Sequence, residues 1–316
     1  SRAGFPKTEK GWNDMTKSWN LPPVPQNIPH GDMPGDKICI SGEHIAKAGV
    51  LYPRLREEME RLGQERVVVC VCGGSGVGKS EIASVLAYYL RQAGLGTYVL
   101  SGDNYPHRIP EDNDRERVRV YREGGLKGLV AQGVMLPEFS LRLRELWQAE
   151  ADCDPTNAKV DPWLALYQKA GRQTLSRYLG TPAEISFAEL SNILSWFHQG
   201  ADRIYLKRMG RETGCLWYDL VDFSETRVLI VEWTHGNSDY LDGVDIPILL
   251  NSTPSDTLAH RRARNRDGKT DSAFTTMVLE LEQEKLEAQA YKAKIILSKS
   301  GELLRYSDYR ALMAGE

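Results

Sequence analysis

Four side chains suited to handling a nucleotide triphosphate stand at three separate places in the chain: Lys79 with Ser80, Asp103, and Glu232. Lys79 and Ser80 close the run Gly73-Gly74-Ser75-Gly76-Val77-Gly78-Lys79-Ser80, a G-x-x-x-x-G-K-S pattern. Each position in it has a physical task. The glycines let the backbone curl so that successive N–H groups converge on phosphate oxygens, Lys79 reaches the β- and γ-phosphates, and the Ser80 hydroxyl ligates Mg²⁺. Residues 67–72 are an apolar, valine-rich run without alternation, which predicts a strand buried on both faces. A helix over 79–92 then adds its positive N-terminal end to the same anion site. The bland alternative is a chance glycine turn, and the complete pattern between a buried strand and an amphipathic helix speaks against it.

Asp103 follows a second short apolar strand over 97–100, in the segment Ser101-Gly102-Asp103-Asn104-Tyr105-Pro106-His107-Arg108. Ligands of an open parallel sheet sit beyond the carboxyl ends of its strands, so this segment is expected beside the phosphate loop. There Asp103 is a candidate to take a proton from an attacking hydroxyl, to orient it, or to help hold the metal. Gly-Asp-Asn is also ordinary turn chemistry, the competing reading. His107 and Arg108 are candidates to hold a polar or anionic substrate group, and His107 has no partner at metal-ligand spacing. Glu232 ends the apolar run 228–232 and is the expected support for Mg²⁺ or its waters; the alternative is an exposed strand-end carboxylate. The one dense basic run spans 260–269, where Arg262 and Arg266 share a helical face able to close over a triphosphate as a lid. Arginine suits that task because its planar fork binds phosphate bidentately and stays charged. A solvated helix face, with Asp267 as local partner, is the competing reading.

The elements that must hold these groups fit an α/β protein of the P-loop type: a three-layer α/β/α arrangement with a mostly parallel central sheet and a helical insertion. Residues 1–65 read as an N-terminal arm and a short charged helix over 53–62, with Phe5, Trp12 and Trp19 suggesting contact with the body or a partner. Residues 66–316 read as the P-loop domain, with the insertion at about 110–183 carrying helices over 114–123, 138–149 and 163–178. A helix over 186–199 follows, its stripe of Leu190, Ile193, Leu194 and Phe197 read as core. Strands over 227–231 and 246–250 resume the sheet, with Pro247 at the start or flank of its strand's pairing. Helices over 254–264 and 273–292 and a last strand over 294–298 complete it.

At 316 residues, 41% hydrophobic and 26% charged, the composition excludes disordered and fibrous classes. A net charge of −3 gives no basic field for nucleic acid or acidic membranes. No apolar run approaches the ~18–20 residues of a membrane span, and the polar start does not resemble a signal peptide, so a cytoplasmic location is expected. The five cysteines, Cys39, Cys70, Cys72, Cys153 and Cys215, read as reduced, with Cys70 and Cys72 on one face of the buried strand. The aromatic arm and the insertion are candidate contact surfaces for a homo-oligomer.

From residue 67 onward the order of parts resembles the uridine kinase and phosphoribulokinase family of P-loop kinases. The matching pieces are GGSGVGKS, DNYPHR, LWYDLVDFS, VLIVE and HRRARNRD. The resemblance implies ATP, Mg²⁺ and phosphorylation of an alcohol on a small metabolite, with Asp103 as base, Glu232 near the metal, and Tyr105, His107, Arg108, Tyr218 and Asp219 near the acceptor. Trp233 departs from the family, which usually has a glycine there, and the insertion is large for it; both remodel the acceptor pocket. A second resemblance is to adenylylsulfate kinase, through GGSGVGKSEIA and SGDN, without that family's substrate motif in the second half. Neither the Asn-Lys-x-Asp motif of a GTPase nor the Leu-Ser-Gly-Gly signature of a transporter ATPase is present. The reading is a Mg·ATP-dependent kinase of a hydroxylated small metabolite of nucleoside, sugar or sugar-phosphate type. Its alternatives are adenylylsulfate kinase and a nucleotide-binding regulator without turnover, the last distinguished by acceptor-dependent ADP release.

Overall fold

The structure, a computed structural model, describes residues 20–212, 214–252 and 272–315. Helix α1 (Gly42–Leu62) precedes strand β1 (Val67–Gly73), and helix α2 (Lys79–Gln92) follows it. Every residue of β1 is buried, as an unbroken apolar run between two layers requires. Val67, Val69 and Val71 enter one apolar layer with Leu51 and Leu55 of α1 and Ile82 and Leu86 of α2. Val68 points the other way, as do Cys70 and Cys72, which are free and buried on one face.

Helix α1 starts eleven residues before the expected one, because Ser41 and His44 form a reciprocal capping box. Pro53 lies inside the helix rather than at its start. It forfeits one backbone hydrogen bond there, and burial of Ala48, Leu51, Tyr52 and Leu55 against α2 keeps the helix continuous.

After β2 (Thr97–Ser101) the insertion comprises α3 (Pro110–Ala131), α4 (Pro137–Gln148), the single turn α5 (Asn157–Val160) and α6 (Leu164–Tyr178). Pro110 and Pro137 sit in the first turns of their helices, where the missing N–H costs nothing. The pair Gly124-Gly125 does not end α3 as expected. It brings α6 close: a Cβ at Gly125 would stand 2.5 Å from the ring of the buried Tyr167, and one at Gly124 would stand 2.3 Å from Thr174 Oγ1. The insertion therefore owns a separate apolar core, which Met277, Val278 and Leu281 join from a helix late in the chain.

Helix α7 (Phe187–His198) presents the expected stripe to the sheet. A hairpin of β3 (Arg203–Met209) and β4 (Leu216–Asp222) follows, which the sequence pattern did not anticipate. The sheet then resumes with β5 (Val228–Glu232) and β6 (Ile246–Leu250). After α8 (Ala273–Gln289) come β7 (Ile295–Leu297), β8 (Leu303–Leu304) and α9 (Tyr306–Ala314). Among the described residues the main sheet has the order β2-β5-β1-β6-β7-β8, parallel except for the edge strand β8. This is the mostly parallel sheet between helical layers that the sequence predicts. Pro247 is the second residue of β6; its carbonyl accepts from Lys294 N at 2.9 Å just before β7 pairing begins at Ile295, so its missing N–H falls at the flank of that pairing. The helix expected over 254–264, Arg262 and Arg266 lie outside the described residues. Among the described residues no helix is long and apolar enough to cross a membrane.

Because Tyr167 is fully buried, and its hydroxyl donates to Asp152 at 2.9 Å and accepts from Trp147 at 3.0 Å, its ring cannot move aside for a new side chain. Gly125→Val is expected to destabilise by roughly 1–3 kcal/mol through overpacking. A lower urea midpoint at unchanged slope is the measurement, and an unshifted midpoint would refute the close approach.

Candidate active site

The phosphate loop joins the end of β1 to α2, and its last glycine is required by geometry. Gly78 caps α2 at φ 88°, in the left-handed region, and a Cβ there would stand 2.8 Å from His44 Nε2. No side chain caps this helix start, so the first-turn amides of α2 face the loop without a side-chain acceptor. Lys79 Nζ donates to Gly74 O at 2.9 Å, holding the ammonium across the loop that Gly73, Gly74, Ser75, Gly76 and Val77 build. The local sequence suffices to place these groups.

Glu232 arrives from the other half of the chain. Its register in β5 is level with Val71 of β1 and Ser101 of β2, at the carboxyl ends of three adjacent strands. Its Oε2 accepts from Ser80 Oγ at 3.1 Å. Burial, reinforced by the Asp103 carboxylate, pushes the Glu232 acid up to about 8, against the attraction of Lys79. A hydroxyl and a buried carboxylate side by side, with a second carboxylate close enough to raise the first, form a hard oxygen donor set that fits Mg²⁺. Asp103 is the exposed middle residue of a single 3₁₀ turn, Gly102–Asn104, directly after β2, whose other two residues are buried.

Asp103, Ser75 and Gly76 open onto a cavity of about 1300 Å³. Its far wall is the insertion, through Arg117, Tyr121, Trp147 and Asp152; α8 contributes Glu282, and the segment after β5 contributes Trp233 and His235. Trp233 fills space that the turn leaves free: a Cβ on Gly102 would stand 2.0 Å from its ring. At the cavity floor Arg117 Nε donates to Glu184 at 2.5 Å, with Glu282 3.8 Å from the same guanidinium. Asn113 Nδ2 and Gly180 N donate to the two oxygens of Glu184 at 3.0 and 2.6 Å. Burial alone would raise the Glu184 acid, but Arg117 and the Gly180 amide outweigh it and hold the carboxyl below its ordinary value. Burial lowers His235 to about 4, so its ring is neutral at physiological pH.

The other expected substrate residues are scattered around this cavity. Arg108 lines it, bonded to Tyr178 Oη at 3.3 Å. His107 is exposed, its Nε2 donating to Pro182 O at 2.9 Å. Tyr105 is fully buried in the apolar layer of α7 and Trp233, where no substrate reaches its ring. Tyr218 and Asp219 lie on the exposed strand β4, the first donating to Glu189 at 2.7 Å and the second accepting from Arg208 Nε at 3.0 Å; neither lines the cavity. Sequence reasoning missed Asp32, Arg117, Glu184, His235 and Glu282. The signal available for Glu184 and Glu282 was only a charge inside an otherwise helical or turn-like stretch.

Comparison with known proteins now bears on this geometry. The family model for adenylylsulphate kinase matches residues 65–120, the part that runs from β1 through the phosphate loop and the Asp103 turn into α3. The bifunctional alpha-galactosidase/sucrose kinase of Mediterraneibacter gnavus is 39% identical over 257 residues, covering 81% of this chain and 23% of that protein. The adenylyl-sulfate kinase of Enterobacter is 36% identical over 90 residues, covering 27% of this chain and 44% of that one. The likeness is to kinases. The chain thus spans under a quarter of the first relative and under half of the second. Among solved structures, D-glycerate 3-kinase from Cryptococcus neoformans has a TM-score of 0.46 at 12% identity, covering 84% of this chain and 98% of that one.

The raised Glu232 acid makes a prediction about the metal-free protein. Its contribution to stability is complete below about pH 4.5 and is lost as pH rises through about 8, because ionisation is opposed in the fold and free in the unfolded chain. Glu232→Gln keeps an acceptor for Ser80 and cannot ionise. It is therefore expected to melt with wild type near about pH 4 and above it near about pH 9. Equal melting temperatures at the higher pH would show that Glu232 is not held protonated.

Proposed function

We propose that the chain is a Mg·ATP-dependent kinase acting on a hydroxyl of an uncharged small metabolite of sugar or polyol type. The observation that carries the kinase reading is the convergence of Lys79, Ser80, Glu232 and the Asp103 turn at the carboxyl ends of β1, β5 and β2, opening on one large cavity. The backbone from Gly73 to Gly78 and Lys79 would bind the triphosphate. Ser80 and Glu232 would hold Mg²⁺, which neutralises charge on the phosphate oxygens when bound. Asp103 would accept the proton of the attacking hydroxyl, and the insertion would exclude water around it. Arg262 and Arg266 remain the proposed lid.

The charge of the cavity supports an uncharged acceptor. Among its described lining residues nine carry carboxylates and six are arginines. All six arginines already have a carboxylate partner. Arg108 pairs with Glu116, Arg115 with Glu111, Arg117 with Glu184, Arg119 with Glu123, Arg122 with Asp152 and Arg211 with Asp36. An acceptor carrying its own phosphate or sulfate would meet an excess of carboxylates and, among the described lining residues, no uncommitted guanidinium to bind it. Hydroxyl groups beside carboxylates, guanidiniums and the rings of Tyr121, Trp147 and Trp233 are well served there. The adenylylsulphate kinase match ends at residue 120, within α3, so it bears on the donor side, whereas the sucrose kinase likeness extends over most of the chain.

The test is ADP release from ATP and Mg²⁺ against sucrose and other neutral sugars and polyols, sugar phosphates, nucleosides and adenylylsulfate. Turnover is expected with a neutral sugar or polyol; turnover only with the anionic acceptors would refute the acceptor class, and none with any acceptor would favour a regulator. Asp103→Asn is expected to lower kcat by roughly 10²–10⁴-fold while nucleotide binding persists. Lys79→Ala is expected to weaken ATP affinity and turnover together, read by nucleotide titration and steady-state kinetics.

A further inference from the structure

The turn that carries Asp103 is gripped from outside the sheet. Asp32, in the extended segment before α1, is a half-buried residue whose side chain is only 10% exposed, and both its carboxylate oxygens are engaged. Oδ1 accepts from Ser101 N at 2.7 Å and from Asn104 Nδ2 at 3.1 Å, the residues on either side of Gly102-Asp103. Oδ2 accepts from Tyr98 Oη at 2.9 Å and from Arg208 Nη1 at 2.9 Å. Asn104 in turn accepts from Met209 N at 2.9 Å through its Oδ1, so the turn is tied on its far side to β3.

We infer that Asp32 is a positioning residue for the phosphoryl-transfer site: it fixes the Gly102–Asn104 turn and thereby the location of Asp103. The inference rests on the reading of Asp103 as the base. The turn itself is one residue deep on each side of Asp103 and has no side-chain cap of its own. One oxygen bridging Ser101 N and Asn104 Nδ2 spans it like a staple, and Arg208 holds that oxygen's carboxylate in place while also bonding Asp219 on β4. The same segment closes the site elsewhere. Gly31 lies against the Glu232 carboxylate, where a Cβ would stand 3.4 Å from Oε1, and Met33 and Asp36 line the acceptor cavity. A displaced base costs rate more than it costs nucleotide affinity, because the phosphate loop does not depend on the turn.

The experiment combines kinetics with hydrogen–deuterium exchange, using the full chain, Mg·ATP and the best acceptor of the panel above. Asp32→Ala is expected to lower kcat by about 10–100-fold with KM for ATP changed by less than about threefold. In the Asp103→Asn background the same substitution is expected to cost less than about threefold more, because the base it positions is already gone. Asp32→Asn keeps an oxygen for Ser101 N and Asn104 Nδ2 but loses the acceptor for Arg208, and its kcat is expected to fall between those of wild type and Asp32→Ala. Exchange in residues 98–106 should rise in Asp32→Ala while exchange in residues 73–80 stays as in wild type. A cost that is equal in both backgrounds, or unchanged exchange over 98–106, overturns the inference. Full activity of Asp103→Asn alone would instead remove the base reading, and the exchange result would still decide whether Asp32 holds the turn.

Discussion

Ser80 Oγ and Glu232 Oε2 meet at 3.1 Å across 152 residues of sequence, and the arrangement of the site depends on that contact. Ser80 is fixed by the first turn of α2, which the left-handed Gly78 releases from the loop. Glu232 is fixed by β5, which sits between β1 and β2 and can only reach that place once the intervening chain has gone around the sheet and returned. A carboxylate buried this deeply in a layer of valines and leucines is costly without a counter-charge. The protein keeps it protonatable, beside a hydroxyl, a lysine and a second carboxylate, which is the state that a divalent cation can convert to a bound carboxylate.

The rest of the fold follows from giving that cluster one open side. Helices α1 and α2 seal the first face of β1, and α7 with the hairpin seals β2 and β5 on the second face. The insertion has a core of its own, made by α3 against α6 at a separation that only glycines allow. It therefore stands as a separate wall, attached through Met277, Val278 and Leu281 of α8 and through the Arg117–Glu184–Glu282 cluster. Two walls with an ionic floor enclose a cavity that neither would make alone.

What the sequence made legible was what neighbouring residues determine. The buried strand, the loop and the helix over 79–92 stand where the pattern put them, because a two-faced apolar run and a glycine turn specify their own geometry. The stripe of α7 was legible for the same reason. Contacts made between distant segments were not. Asp32 sits in a stretch of Pro, Gly and Asp whose composition suggests a loose arm, yet its burial is decided by Ser101, Asn104 and Arg208. Gly124-Gly125 looks like a helix stop until α6 supplies the neighbour that the missing side chains admit. The β3–β4 hairpin escaped notice because β4 is exposed along almost its whole length and shows no alternation. Tyr105 stands in a segment whose neighbours reach the site, but as a fully buried residue its ring points into the apolar layer instead.

Trp233 and Glu232 show how two successive residues at one strand end serve different parts of the site. The Trp233 indole follows Glu232 directly but is buried in the other layer, with Tyr105, Phe187 and Val231, whereas the Glu232 carboxylate meets Ser80 and Gly31. Exclusion of water is what raises the Glu232 acid, with Asp103 adding to the effect. The indole is accommodated because residue 102 has no Cβ, and it forms part of the cavity wall opposite the insertion. A smaller residue at 233 would enlarge the cavity and leave the Ser80–Glu232 contact in place. The shape of the cavity wall and the electrostatics of the buried carboxylate are thus set by two successive residues that face different neighbours, so either can change while the other's contacts persist.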